Sequence, residues 1–187
     1  PDRDADRILH CPRTGRTAGV GAFWGLDRGE VARNPQLGGL LAALREPPPA
    51  PGPAAMLLPG AIADALAAEP GDMLLTGGAR FVFAGRFDAL RLQALATLDN
   101  GRVLPPDFAQ TLQTLNLGGD NNTLQNLLEQ TEAGSFEWFT GENVAIADYG
   151  DLERLLPGQP FVNGLVLYPR TPGTDLMAVA REMAPLF

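Results

Sequence analysis

The chain has 187 residues and a formal net charge of −8, from 14 basic and 22 acidic residues, and every basic residue is an arginine. Without lysine it can form no Schiff base and cannot supply the lysine of nucleotide-binding phosphate loops or of kinases. An acidic domain also repels phosphate backbones, so we expect no nucleic-acid partner.

The single cysteine and the single histidine limit the chemistry further. They cannot form an intrachain disulfide or a zinc site of Cys and His ligands, and we expect no cofactor. The lysine-free, Ala-, Gly-, Pro- and Arg-rich composition is typical of a GC-rich bacterial genome. No apolar run approaches the roughly 20 residues of a membrane span, and the first residues do not show the basic-then-apolar pattern of a signal peptide. This favours a cytoplasmic location, although a start at Pro1 leaves a removed leader open.

Residues 7–19, RILHCPRTGRTAG, resemble the phosphate loop of cysteine-dependent protein phosphatases. In that loop five residues separate the cysteine from the arginine that grips the phosphate, whereas four residues separate Cys11 from Arg16. Pro12 also lacks the N–H that such a cradle needs. We therefore interpret the stretch as a turn, with Cys11 as a buried apolar residue and His10 on the opposite face of the strand.

The next elements are a strand and a helix. Glycines around Phe23 and Trp24 suit a bent strand or a loop held by its aromatic residues. Asn34 followed by Pro35 is a helix start, and the leucine spacing that follows predicts a helix over 35–46.

The run EPPPAPGPAA after this helix predicts an extended polyproline II spacer. It divides the chain into an N-terminal subdomain or arm (1–46), a proline-rich linker (47–54) and a main α+β domain (55–187).

In the middle of the chain we predict a helix over 59–68 and two strands, 73–75 and 80–83, joined at Gly77-Gly78, with a β-bulge at Gly85. Residues 88–98 are ambiguous. Their apolar and polar residues alternate as in a strand, whereas their Ala and Leu content suits a helix that ends at Asn100-Gly101. We favour a strand, because Asp99-Asn100-Gly101 is then a hairpin turn that leads into Arg102-Val103-Leu104.

The second half predicts helices over 105–118 and 123–134, a hairpin over 135–148, a helix over 151–156 capped by Asp151, a strand over 161–168 and a last helix from Thr174. Helices and strands in this order predict an α+β fold. We expect a mixed, largely antiparallel sheet with helices packed on it, in a single compact domain with an N-terminal extension.

Two groups of polar residues are candidate sites. In the loop 116–123, Asp120 and two asparagines offer oxygens to calcium, but the spacing of a calcium loop is missing, so we favour helix capping. A series of acids surrounds the predicted hairpin, and we interpret it as a solvated rim that can meet a basic partner. Its members are Glu129, Glu132, Glu137, Glu142, Asp148, Asp151 and Glu153.

No set of residues has the types and spacing of a catalytic centre, so we favour a non-catalytic protein-binding or assembly module with an acidic surface. Its partner is another protein or a second copy, and a metal is not expected. Aromatic residues anchor many interfaces, so the predicted docking residues are Phe23, Trp24, Trp138, Phe139 and Glu142. The alternative is a small hydrolase that uses two acids across a cleft, with or without a divalent metal.

Overall fold

The computed structural model describes residues 7–44, 53–95, 103–104, 107 and 138–156. These residues form a mixed seven-stranded sheet with five α-helices, which is an α+β arrangement as predicted. The strands are β1 (Ile8–Cys11), β2 (Arg16–Gly19), β3 (Ala22–Leu26), β4 (Ala54–Pro59), β5 (Met73–Thr76), β6 (Ala79–Phe87) and β7 (Val144–Asp148). The helices are α1 (Arg28–Arg33), α2 (Pro35–Leu40), α3 (Gly60–Leu66), α4 (Ala89–Gln93) and α5 (Tyr149–Leu155), with 3₁₀ turns at Ala42–Leu44 and Gly141–Asn143.

The strands lie in the order β2-β1-β5-β6-β4-β7-β3. β4 pairs parallel with β6, and β3 pairs parallel with β7, whereas the other four pairs are antiparallel. β1 pairs with β5 and β3 with β7, so the described part of residues 1–46 contributes strands to the common sheet. The division at the proline-rich linker stays a prediction, because residues 47–52 lie outside the described residues.

β4 is the most deeply buried strand, and all six of its residues are buried. Its sequence, AAMLLP, is apolar throughout, as expected for a strand that is covered on both faces. Ala54, Met56 and Leu58 enter one hydrophobic cluster, and Ala55 and Leu57 enter another. We did not predict β4, because a short apolar run beside a proline-rich stretch carries no alternation that would identify it as a strand.

The two clusters lie on opposite faces of the sheet, and we name them core A and core B. Core A receives side chains from α3 and α5, and core B receives them from α1, α2 and α4. Both faces of the sheet are therefore covered by helices. Burial of apolar side chains between the sheet and these helices is the main contribution to the stability of the fold. The largest fully buried side chains of core A are Phe81, Phe83, Leu9, Met56, Leu58, Leu66 and Leu74. Those of core B are Leu37, Leu41, Leu57, Leu92 and Ile146.

The predicted strand pair around Gly77-Gly78 is confirmed as the β5–β6 hairpin. Both glycines have positive φ angles, which glycine adopts without steric cost. The predicted bulge is confirmed as well. Met56 is paired with Phe83 and Leu57 with Gly85, so Ala84 is the extra residue, and Gly85 has a φ of 150°.

The helix start at Asn34-Pro35 is confirmed. The Asn34 side chain accepts hydrogen bonds from the backbone N–H groups of Gln36 and Leu37, and Pro35 is the first helical residue. The regular helix ends at Leu40, and a 3₁₀ turn continues the chain to Leu44. The preceding helix α1, capped by Asp27, was not predicted.

The strand that we favoured for residues 88–98 is wrong over its described part. Asp88 accepts a hydrogen bond from the Arg91 N–H and caps helix α4. Leu92 is fully buried, whereas Leu90 is 73% exposed, although strand alternation would place both on one face. A side-chain cap and a helical burial pattern outweigh the alternation in the sequence. Residues 96–98 lie outside the described residues.

The second arm of the predicted hairpin is confirmed as β7, whose described neighbours in the sheet are β3 and β4. The following helix is capped three residues earlier than predicted, at Asp148 and not at Asp151. Asp148 caps α5 by accepting a hydrogen bond from the Asp151 N–H. The predicted elements over 105–106, 108–137 and 157–187 lie outside the described residues.

Candidate functional site

The predicted docking residues come from two segments that the sheet brings to one corner. β3 carries Phe23 and Trp24, and it runs parallel to β7 with Ala22 opposite Val144. The segment 138–143 immediately precedes β7, and the Gly21 N–H donates to the Asn143 carbonyl oxygen over 2.6 Å. Two stretches more than 110 residues apart in the sequence are thereby neighbours. We name β3 together with residues 138–143 the β3-edge surface.

Phe23 and Trp24 lie on opposite faces of β3, as alternation in a strand requires. Phe23 packs against core A, and Trp24 packs against core B. Both side chains are half-buried, and four of the five residues of β3 are only partly covered. Both rings are therefore partly exposed, one on each face of the strand.

The segment 138–143 adds the other three predicted residues. Trp138 is half-buried and forms an isolated β-bridge, and Phe139 is half-buried and packs against core B, as Trp24 does. Glu142 is exposed in the 3₁₀ turn. In this corner the chain thus presents four partly exposed aromatic side chains and one exposed carboxylate.

A local hydrogen-bond pattern fixes the shape of the turn. Thr140 begins it, and the Thr140 N–H donates to the Asn143 side-chain oxygen over 3.1 Å in a capping box. Gly141 is buried, and a Cβ atom at this position would meet the backbone of Ala89 in α4. The absence of a side chain at Gly141 therefore lets the turn lie directly against the start of α4.

A network of ion pairs lies at the other end of β3 and β7. Arg28 Nε is 3.1 Å from an Asp148 carboxylate oxygen, and Arg28 Nη2 is 2.9 Å from an Asp151 carboxylate oxygen. Arg154 holds the second Asp151 oxygen at 2.8 Å. The network ties the start of α1 to the start of α5. Gly25 allows α5 to pack closely over β3, because a Cβ atom at position 25 would lie 3.0 Å from the Tyr149 Cα. We did not predict the role of Arg28; the Asp-Arg pair that directly follows β3 was the available signal.

Glu30 lies next to this network in the first turn of α1. Its partial burial raises the pKa of its carboxyl group, and the neighbouring Asp27 carboxylate raises it further. Burial and the neighbouring Asp27 carboxylate thus both disfavour the charged form of Glu30.

The hydrolase alternative requires two acids that face each other across a cleft. Asp148 and Asp151 lie close together in the structure, but both form ion pairs with Arg28. Glu142 belongs to the opposite end of the strand pair, because Val144 and Asp148 are the first and last residues of β7. Asp120 and Glu137, two further acids considered for such a cleft, lie outside the described residues. Across the described ranges, no group of three or more His, Cys, Asp or Glu side chains is arranged to hold a metal ion.

The loop that resembles a phosphatase motif has a structural role. Cys11 is fully buried, and its Sγ lies 3.9 Å from an Asp72 carboxylate oxygen. Reactive cysteines are partly exposed, so this burial is typical of a structural cysteine. Arg13 donates to Asp72 over 2.6 Å and to the Ala67 carbonyl over 2.8 Å. The turn is thereby fixed to the end of α3, where Ala67 has a left-handed φ of 47°. His10 lies on the opposite face of β1 from Cys11, as predicted.

The charges at this turn stabilise each other. The hydrogen bond from Arg13, followed by the bond from the Glu69 backbone N–H, lowers the pKa of Asp72, and Asp72 in turn raises the pKa of Arg13. The guanidinium of Arg13 is therefore engaged within the fold, which supports the interpretation of this loop as a turn.

No protein-family model matches the chain, and the comparisons with curated proteins and with solved structures found no match. None of the described helices has the length and apolar character required to cross a membrane.

Proposed function

We propose that the chain is a non-catalytic protein-binding or assembly module that docks its partner on the β3-edge surface. One observation carries the proposal: in the described part of the chain β3 has a single neighbour, β7, and it carries a partly exposed aromatic ring on each face. In this proposal residues 1–46 are an N-terminal extension that supplies both outer strands, β2 and β3, of a largely antiparallel sheet.

The physical basis is the chemistry of an edge strand. Alternate N–H and C=O groups of such a strand point away from the sheet and can pair with an added strand. Main-chain bonds then supply affinity, and the partly exposed rings of Phe23, Trp24 and Phe139 supply apolar contacts of the kind that anchor interfaces. Backbone pairing and aromatic contact are available at one place.

The charge of the surface selects the partner. Glu142 is exposed at one end of β3, and the chain as a whole carries a net charge of −8. A partner with basic residues is favoured, because complementary charge accelerates encounter and fixes the register of docking. Either another protein or a second copy of the chain can be this partner, if it presents a strand that carries basic residues.

The two tryptophans provide a direct test, because Trp24 and Trp138 are the only tryptophans of the chain and both belong to the β3-edge surface. Proteins captured on the immobilised full chain are purified, and each purified protein is titrated into the full chain. Acrylamide quenching of the tryptophan fluorescence of the chain is followed during the titration. Where the captured protein itself contains tryptophan, a tryptophan-free peptide from it is used instead. Binding at the proposed surface should protect the tryptophans from the quencher.

Charge reversal at Glu142 supplies the matched variant. Glu142→Arg should weaken binding about 10-fold, which corresponds to about 1.4 kcal/mol. Glu153→Arg is the control, because Glu153 is also exposed and lies on α5 outside the surface. Binding that leaves the quenching unchanged, or that is equally sensitive to both variants, would contradict the proposal.

A further inference from the structure

Part of the core B side of the sheet is left uncovered by the described helices. Leu9 and Leu74 enter core A, so their neighbours along β1 and β5 point to the opposite side of the sheet, which is the core B side. Ile8 is 45% exposed there, and Met73 is 37% exposed. We name this area the β1–β5 face, and its residues are Ile8, His10, Met73 and Leu75.

The β1–β5 face continues the apolar surface of core B. Met73 lies opposite Val82 in β6, and Val82 lies opposite Ala55 in β4. Ala55 is buried in core B and Val82 packs against this core, whereas Met73, at the end of the same row, is exposed. A further packed element on this row would extend core B across β5 and β1, and the hydrophobic effect favours its burial.

Residues 108–137, which lie outside the described residues, are flanked on both sides by residues of core B. Leu104 is buried in this core shortly before the segment, and Phe139 packs against it shortly after the segment. Residues 157–187 instead follow α5, whose last residue, Leu155, packs against core A. Three strand spacings of about 4.8 Å separate β4 from β1, and a helix of about 10 residues is about as long, so residues 108–137 can reach the β1–β5 face.

The sequence of residues 108–137 has the chemistry that this face requires. The helices predicted within it carry leucines at helical spacing, namely Leu112, Leu115, Leu124, Leu127 and Leu128. The segment contains acidic residues and no basic residue. On the sheet, the exposed Arg80 lies opposite Leu75 at the border of the β1–β5 face and makes no ion pair within the described residues. Apolar surface and charge are therefore both complementary.

We propose that residues 108–137 pack their leucine-bearing side on the β1–β5 face, complete core B there, and place an acidic side chain next to Arg80. This inference does not rest on the proposed function, because it concerns a different surface of the sheet. It has a consequence for that function: the β1–β5 face is unavailable to other proteins, and docking is left to the β3-edge surface.

The lysine-free sequence allows a position-specific test by cross-linking. Arg80→Lys keeps the charge and introduces the single side-chain amine of the chain, which a carbodiimide joins to a carboxylate in contact with it. In the cross-linked full chain, mass spectrometry should find position 80 joined to an acid of residues 108–137. Arg86→Lys is the positive control, because Arg86 Nη2 lies 2.7 Å from an Asp64 carboxylate oxygen, so position 86 should be joined to Asp64.

Thiol labelling measures the coverage of the face independently. Met73→Cys should react about 100-fold more slowly than Ala65→Cys, which places a thiol at an exposed position of α3. Adding Leu124→Ser and Leu127→Ser should raise the rate at position 73 to that at position 65. The fully buried Cys11 reports unfolding, and it should remain unreactive in every variant.

Several results would overturn the inference. One is an amine at position 80 that forms no link, a link only to acids outside residues 108–137, or a link to a second molecule, while position 86 is joined to Asp64. Another is a thiol at position 73 that reacts as fast as the one at position 65 without the leucine substitutions. A third is protection at position 73 that survives these substitutions while Cys11 stays unreactive. If the substitutions expose Cys11, the cross-link at position 80 decides.

Discussion

A single methyl group at Gly141 tests the contact that places the turn of the β3-edge surface. Gly141 is buried, and its backbone lies outside the left-handed region, so alanine introduces no backbone strain. The added Cβ would lie 2.9 Å from the Ala89 Cα and carbonyl carbon and would overlap with the Ala89 carbonyl oxygen. These are main-chain atoms at the start of α4, so the methyl group cannot be accommodated by a side-chain rotation.

The size of the effect follows from this overlap. The two carbon contacts are about 0.5 Å shorter than ordinary van der Waals contact, and overpacking of this kind typically costs about 1–3 kcal/mol. For a chain of this length, about 2 kcal/mol corresponds to a decrease in melting temperature of about 6 °C. Since the turn must move away from α4, we also expect Trp138 fluorescence to change.

Gly39→Ala is the matched control. Gly39 is exposed in α2, and a Cβ there would have no heavy atom within 4 Å. The same methyl group should therefore raise the free energy of unfolding by about 0.5–1 kcal/mol, because alanine is the better helix former. Thermal unfolding followed by circular dichroism measures both variants. Equal melting temperatures for Gly141→Ala and wild type would refute the packing of the turn against α4.

Two carboxylates give pH-dependent predictions. The pKa of Asp72 is lowered by its hydrogen bond from Arg13, so its contribution to stability is present above the unfolded pKa of about 3.9 and is lost as the pH falls through the lowered value. Asp72→Asn should therefore melt below wild type at pH 7, and the difference should narrow near pH 2; a constant difference would contradict the role of the charge. Burial and the neighbouring Asp27 raise the pKa of Glu30. Below the unfolded pKa of about 4.3 the carboxyl group is protonated in both states, and the free energy of unfolding decreases as the pH rises from there through the raised value. Glu30→Gln should melt above wild type at pH 7 and together with it near pH 3, and thermal melts at both pH values test this.

Several features that depend on a few consecutive residues could be predicted from the sequence. The side chain of Asn34 caps the helix that begins at Pro35, and Gly77-Gly78 supplies the positive φ angles of a hairpin turn. Gly85 marks a bulge for the same reason. In each case the controlling interaction lies within a few positions of the chain, so no knowledge of the rest of the fold is needed.

Features that depend on distant contacts could not be predicted. β4 is a strand because six neighbouring apolar residues are covered on both faces. α4 has a local cap at Asp88, but its burial pattern, with Leu92 in core B and Leu90 in solvent, depends on packing against the sheet. Arg28 pairs with Asp148 and Asp151, which lie 120 or more positions further along the chain, and the sequence gives no register for such a pair.

The predicted docking residues show the same division. Composition and spacing selected Phe23, Trp24, Trp138, Phe139 and Glu142 as aromatic and acidic residues outside any catalytic pattern. Only the parallel pairing of β3 with β7 made neighbours of these two segments, and only the order of all seven strands placed β3 at one end of the described sheet and β2 at the other. Local side-chain chemistry is encoded within a few positions, whereas strand order arises from burial of apolar surface across the whole chain, which single positions do not encode.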